Sequence, residues 1–561
     1  MQLRLCFCLF LAAMAMHAQG GRGGGPGGGR VAAGNAAGSG AQAPPPATDC
    51  AASGTVVNAM TGVPIPRASV TLGGADSAGS ATDAMGRWSI ANTVCGPILP
   101  SATRPGFIPS NQRPGFFIAM PKRIQLVSGS PATNLKIELM PEGAVAGKVQ
   151  DSNGDPMENV QIRVMRVDIQ QGKRTLGNTA GGAGAVDAQG NFRIGGLRPG
   201  HYFVCASSRQ VTYPVGGGEA LVYPESCYPG PPASGLTTAL PLEAGREIRT
   251  AFTLTAMRGA HVRGTISGFP ATSRQGPQVS VQLQQSNGGI GGRGGGQVKP
   301  DGTFDIPAVP PGSYVARAVL PQIGANNSPG TQIQALADVQ VGDADVDNVT
   351  LTAQSPGSLN GTLRFELTNP STAGSPVVDV ALTPATNGPN FSGPLPRPQW
   401  DSSHLSFEFT PVAPAQFRFQ AYNAGGQGVY VKSATIHGQD VLNQPLTVNG
   451  TTGPIEVVVS DDVGSIDATV NDADGHPAPA SVLLVSQSGR QMFMIAGDDG
   501  HATNPSMPAG EYRAWAFDNL NTVPYAEDDW MSHNAGPGEK VTVMAAGNAS
   551  VTLKRIAAPA E

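Results

Sequence analysis

Apolar side chains recur at every second position in short runs along most of this chain. Val160-Gln-Ile162-Arg-Val164, Phe192-Arg-Ile194, Val279-Ser-Val281-Gln-Leu283 and Val378-Asp-Val380-Ala-Leu382 show the period. Successive side chains of a strand point to opposite faces, so this alternation predicts strands with one face buried. The runs are separated by Asn-Gly, Asp-Gly, Gln-Gly and Pro-Gly pairs, which supply the backbone freedom that tight turns require. No segment of useful length carries the helical period, so the expected fold class is all-β.

The runs themselves repeat. One copy reads Gly54-Thr-Val, Gly62-Val-Pro64, Ala68-Ser-Val70, then Asp83-Ala-Met-Gly86-Arg-Trp88. A second reads Gly147-Lys-Val149, Gly154-Asp-Pro156, Val160-Gln-Ile162, Asp187-Ala-Gln-Gly190-Asn-Phe192 and Pro199-Gly200-His-Tyr202. A third has Gly264-Thr-Ile266, Asp301-Gly302-Thr-Phe304 and Pro311-Gly312-Ser-Tyr314. A fourth is divergent, with Gly361-Thr-Leu363, Phe407-Glu-Phe409 and Phe417-Arg-Phe419. The fifth has Gly475-His-Pro477 and Gly510-Glu-Tyr512, but its turn Asp499-Gly500-His501 lacks the aromatic two residues on. Runs such as Leu135-Lys-Ile137, Phe252-Thr-Leu254, Val349-Thr-Leu351, Val457-Val-Val459 and Val551-Thr-Leu553 complete each unit. About 100 residues per unit is the size of an Ig-like sandwich. The expected division is 49–141, 142–257, 258–353, 354–461 and 462–561: a tandem array of about five Ig-like or transthyretin-like β-sandwich domains.

Composition agrees. Gly 75 and Pro 49 in 561 residues mark a turn-rich chain, and charged residues are only 13%. Helix surfaces need Lys and Glu, whereas short strands and turns do not. The net charge of −5 contains no basic block, so neither nucleic acid nor an anionic membrane surface is an expected partner.

Met1–Arg4 gives a short basic start, followed by the apolar run Leu5–Ala15 and small residues up to Ala18. This reads as a signal peptide over 1–18, with a Gly/Pro/Ala-rich linker over 19–48. After its removal no transmembrane segment is expected, and the protein is expected to be exported: periplasmic, cell-surface or secreted. Export leaves Cys50, Cys95, Cys205 and Cys227 in an oxidising compartment. Four cysteines allow three pairings, of which Cys50–Cys95 with Cys205–Cys227 keeps each bridge inside one unit.

The order Gly-x-Val, Gly-x-Pro, Ala-x-Val, Asp-x-x-Gly-x-Phe and Pro-Gly-x-Tyr resembles the carboxypeptidase regulatory-like domain. That resemblance implies a transthyretin-like seven-stranded sandwich. Tyr223-Pro224, Tyr430-Val-Lys-Ser-Ala-Thr-Ile436 and Pro524-Tyr525-Ala-Glu-Asp-Asp-Trp530 resemble exported bacterial multi-domain proteins carrying it.

Catalytic constellations are missing from the sequence. No His is followed three residues on by Glu, and neither His-Glu-x-x-His nor Gly-x-Ser-x-Gly occurs. Gly289-Ile-Gly291-Gly-Arg-Gly294 matches a dinucleotide fingerprint but leads to a strand, so it reads as a hairpin loop. Asp151-Ser-Asn153-Gly-Asp155 and Asp472-Ala-Asp474-Gly475 resemble calcium-loop fragments without the later bidentate acid, and read as Asx turns. Glu527-Asp-Asp529 reads as a solvated loop. No enzyme, cofactor or metal is expected. The aromatic residues Tyr213, Tyr223 and Tyr228, in an insertion bounded by Cys205 and Cys227, and Tyr525 and Trp530 are the candidate ligand-binding residues. The expected function is binding or scaffolding of extracellular polysaccharide or envelope protein, against a carbohydrate-active enzyme or accessory subunit and a structural spacer.

Overall fold

A computed structural model describes residues 48–561 apart from 74–78, 111–122, 232–235, 270–278, 287–293, 321–332, 369–376, 386–394, 426–427, 443, 449 and 558–561. The expected signal peptide and linker, and most of the Gly289–Gly294 loop, lie outside the described residues. Five β-sandwiches follow one another, and each is built on the same register. The first strand of each pairs antiparallel with the strand after an Asp-containing turn (closed by Gly in all but the fourth, where His404 takes that place) and parallel with the last strand. In order these are Cys50–Asn58 with Arg87–Thr93 and Ala132–Pro141, then Gly143–Asp151 with Asn191–Leu197 and Glu247–Leu254. Ala260–Ser267 lies between Thr303–Val309 and Val346–Thr352. Gly357–Glu366 lies between Ser406–Val412 and Thr451–Ser460, and Val463–Asn471 between His501–Pro508 and Asn548–Ile556.

The second sheet of each sandwich starts from one antiparallel pair. These pairs are Ser69–Thr71 with Ser101–Thr103, Val160–Gln170 with Gly200–Ser208, and Ser280–Gln285 with Gly312–Leu320. The last two are Val377–Pro384 with Ala415–Gly425 and Ala480–Ser486 with Gly510–Phe517. Alternating residues of the two sheets meet in five separate apolar cores, centred on Val56 and Trp88, Val149 and Tyr202, Val262 and Tyr314, Phe409 and Phe417, and Ile466 and Val482. Inward-facing residues of both sheets supply the core, as sandwich packing requires.

The repeated motif has a physical reason at each of its special positions. Gly147 stands directly across from Phe192, Gly264 from Phe304 and Gly361 from Phe407. A Cβ on Gly147 would lie 2.0 Å from the Thr250 carbonyl oxygen and 2.9 Å from the Phe192 ring. The glycine therefore lets the last strand approach and gives the aromatic ring its seat. The tyrosine of Pro-Gly-x-Tyr is buried and spends its one polar group locally. Tyr314 donates its hydroxyl to the Pro310 carbonyl at 2.9 Å, and Tyr512 to that of Pro508 at 2.8 Å. Such a bond satisfies a phenol that the core would otherwise strand.

Two insertions extend this frame. Residues between Gly200–Ser208 and Leu240–Leu242 cover the outer face of the second sheet of sandwich 2, over Met165, Phe203 and Cys205. Residues between Gly510–Phe517 and Glu539–Val543 do the same in sandwich 5, over Leu483 and Phe517. The second insertion corrects one expectation: the acidic run is no loop but opens the seven-residue helix Asp528–Asn534. Its two turns are too short to show a helical period, and its stability comes from Trp530 and Met531 packing on the sheet rather than from propensity. Asp528 and Asp529 in its first turn and His533 in its last oppose the helix dipole favourably. Among the described residues no helix is long and apolar enough to cross a membrane.

Candidate functional site

The insertion of sandwich 2 is fastened at three levels. Cys205 and Cys227 face each other across an antiparallel pair and are disulfide-bonded; Cys50 and Cys95 form the second bridge. Beside the first bridge, Arg163 meets Glu225 at 2.9 Å, with side chains only 7% and 9% exposed. Below it lies the small apolar layer of Met165, Phe203 and Ala239. A buried pair of this kind fixes a unique arrangement more than it adds stability, because both ions had to be desolvated.

This brace sets where the expected binding residues stand. Tyr213 is 68% exposed and Tyr228 43% exposed. Beside Tyr213, Val215 stands fully in solvent. Tyr223 belongs instead to the main core of sandwich 2, only 9% exposed, so its ring has no free face to offer. Its neighbouring strand, Leu221–Val222, spans just two residues, too few for alternation to reveal the inward position.

At the other end of the chain, Tyr525 and Trp530 are packing rings. Tyr525 meets Phe493 edge-on at 5.6 Å, and Trp530 leans on Phe517 at 6.4 Å. Burial pushes the Tyr525 phenol above its ordinary value. Trp515 lies under Gly538 and donates its indole N–H to the Gly536 carbonyl at 3.1 Å. The structure thus brings Tyr213 and Tyr228 onto one braced insertion and leaves the terminal aromatics inside a joint.

The calcium-like fragments are closed turns. Asp151 Oδ1 accepts from the backbone N–H groups of Asn153 and Asp155, and Asp472 Oδ1 from those of Asp474 and His476. Those bonds, His476 first, hold the Asp472 carboxyl below its ordinary value. Asp472, Asp474 and His476 lie near enough together to suggest a cation, but the Asp472 oxygen is already engaged.

A shallow groove of about 370 Å³ on sandwich 4 escaped the sequence reading. Asn360, Glu408 and Gln399 stand in one row across three adjacent strands. Asp401 closes one end of the groove, its carboxyl held down to about 2 by the Ser403 hydroxyl and the backbone of Ser406 and Leu405. Trp400 adjoins the groove, yet it follows the alternation of Phe407 and packs on that ring at 5.3 Å, on the core side of the sheet. Nothing in the residue types announced the row, since Asn360 lies far along the chain from the Gln399 and Glu408 pair.

Residues 51–140 match the family model of the carboxypeptidase regulatory-like domain. The match covers sandwich 1, from its first strand to its last. The regulatory-like register of that sandwich, with its parallel first and last strands, is the one repeated in the other four. No curated protein matches the sequence. Among solved structures the chain is similar to the TIE protein of Bacillus anthracis, at 9% identity over 73% of this chain and 72% of that one, with a TM-score of 0.15. It is similar also to BcpA, the major pilin subunit of Bacillus cereus, at 9% identity over 74% and 99%, with a TM-score of 0.13. A DUF3823 family protein from Bacteroides uniformis shares 11% identity over 36% and 100%, with a TM-score of 0.13.

Proposed function

We propose that this chain is an exported, non-catalytic scaffold whose joined sandwiches hold a partner at the cell envelope, either extracellular polysaccharide or an envelope protein. The observation that carries this reading is the braced insertion of sandwich 2. A disulfide, a buried ion pair and an apolar underlayer hold the strand that carries Tyr228, and the paired strands Val211–Thr212 and Leu221–Val222 carry Tyr213, while both rings stand open. Rigid aromatic faces stack on sugar rings and anchor protein contacts at small entropic cost. Two disulfides support an oxidising compartment. The division into 49–141, 142–257, 258–353, 354–461 and 462–561 is proposed because each range holds one main core between its two sheets.

The test is co-sedimentation of the purified protein with insoluble polysaccharides and with envelope fractions, comparing wild type with Tyr213→Ala and Tyr228→Ala. Saturable binding that weakens in both variants supports the reading. Binding that survives both moves the contact elsewhere and removes the insertion as its site.

A further inference from the structure

Each sandwich from the second to the fourth touches the next one along the chain. Arg258 of sandwich 3 donates to Glu219 of sandwich 2 at 3.0 Å. Gln334 donates to the Pro414 carbonyl at 3.0 Å, between sandwiches 3 and 4. Arg490 donates to the Val431 carbonyl at 2.6 Å and lies over the Tyr430 ring, between sandwiches 4 and 5. Contacts like these come cheaply, because the chain already holds successive domains together.

One more joint has no such help. The hairpin between Val160–Gln170 and Lys173–Ala185 in sandwich 2 meets the insertion of sandwich 5, from residues 353 positions apart. The Arg174 backbone N–H donates to Glu527 Oε1 at 2.8 Å, and the Ala526 N–H to the Gly172 carbonyl at 2.8 Å. The Arg174 guanidinium also pairs with Glu527, both side chains about a quarter exposed. Tyr525 packs against Gly172, so closely that a Cβ there would fall 2.5 Å from its ring. Two hydrogen bonds from backbone N–H groups, a charge-assisted pair and an aromatic contact meet between residues 172–174 on one side and 525–527 on the other.

We infer that this contact is a latch: sandwich 5 clasps sandwich 2, and the clasp turns sandwiches 2 to 5 into a closed circuit of interfaces. Closure across three intervening domains must be held by its own contacts against the freedom of the open chain. The closed circuit tells against a pure spacer, whose domains would gain nothing from touching out of order. It also explains why Glu527 and Tyr525, two residues apart in sequence, are both only partly exposed.

Small-angle scattering of the purified protein tests the latch, alongside hydrogen exchange at the Arg174 and Ala526 amides. Arg174→Glu and Glu527→Arg each place like charges at the joint. Each is expected to enlarge the radius of gyration and speed exchange of both amides by roughly threefold to tenfold. The double swap is expected to restore both readouts. Gly172→Asn is the second probe: Asn keeps the left-handed turn at Gln171-Gly172 but sets a side chain into the Tyr525 ring. It lies outside the core of sandwich 5, so opening there cannot be ascribed to a misfolded fifth domain. Unchanged radius and exchange in all three single variants overturns the inference. So does a doubled mass in scattering, which would place the contact between two copies rather than within one.

Discussion

Ala468 stands directly across from Ala502 in sandwich 5, at the position where Gly147 faces Phe192 in sandwich 2. The two changes belong together. In three other sandwiches an aromatic ring lies over a glycine whose missing Cβ makes room for it. Where the ring is gone the glycine is gone too, and two methyl groups fill the space. The pair therefore behaves as one packing unit exchanged as a whole.

That unit makes a prediction about coupling. Gly147→Ala drives a methyl group into the Thr250 carbonyl and the Phe192 ring, and is expected to destabilise sandwich 2 by about 3 kcal/mol. Ala502→Phe alone is expected to overpack sandwich 5, and Ala468→Gly to relieve it, with a coupling of about 1 kcal/mol or more. Denaturant melts of the four proteins in the cycle measure it; additive effects would show that the pair does not share one space.

The buried tyrosines offer a milder test. Tyr512→Phe keeps the ring and leaves the Pro508 carbonyl without its donor, so the expected loss is about 1 kcal/mol. Phe417 already occupies the matching place in sandwich 4, which shows that the fold accepts the ring alone. A loss of several kcal/mol on thermal melting would mean that the hydroxyl does more than close one turn.

Arg163→Ala is expected to cost far more than any surface ion pair. It strands the Glu225 carboxylate at a side-chain exposure of 9%, and removing one partner of a buried pair costs about 3–5 kcal/mol. Arg163→Met with Glu225→Leu is expected to recover most of that loss, because both desolvation penalties vanish together. Chemical denaturation with the Cys205–Cys227 bridge intact separates the pair from the disulfide.

Asp401 gives a pH dependence with a definite sign. Hydrogen bonds from Ser403, Ser406 and Leu405 favour its charged form and bring the folded value to about 2, from an ordinary 3.8. A depressed carboxyl contributes its stability in full above the unfolded value and loses it as pH falls through the folded one. The melting temperature of sandwich 4 is therefore expected to fall between about pH 4 and pH 2. Asp401→Asn should flatten the curve in that window; an unaltered slope would assign the acid sensitivity to other carboxyls.

The strands and their turns were legible because each rests on a local rule: alternation shows a buried face, and Asp-x-x-Gly marks the turn between strands. The pairing of cysteines followed from keeping each bridge within one unit, and both bridges stand that way. The joints were not legible. An aromatic residue looks the same in sequence whether its ring faces solvent, as at Tyr213, or a neighbouring domain, as at Tyr525. Tyr223 was lost to a strand too short to show its face, and the helix at Asp528–Asn534 to a length below two full periods. Arg174 and Glu527 carried no signal at all, because the partner of each lies hundreds of residues away.

Co-sedimentation of the purified protein with insoluble polysaccharide and envelope material tests the central claim most directly. The account predicts saturable binding to one of these materials, weakened by Tyr213→Ala and by Tyr228→Ala while Trp530→Ala, a packing change, alters stability first. Absence of binding to every material, or binding indifferent to both tyrosines, contradicts it.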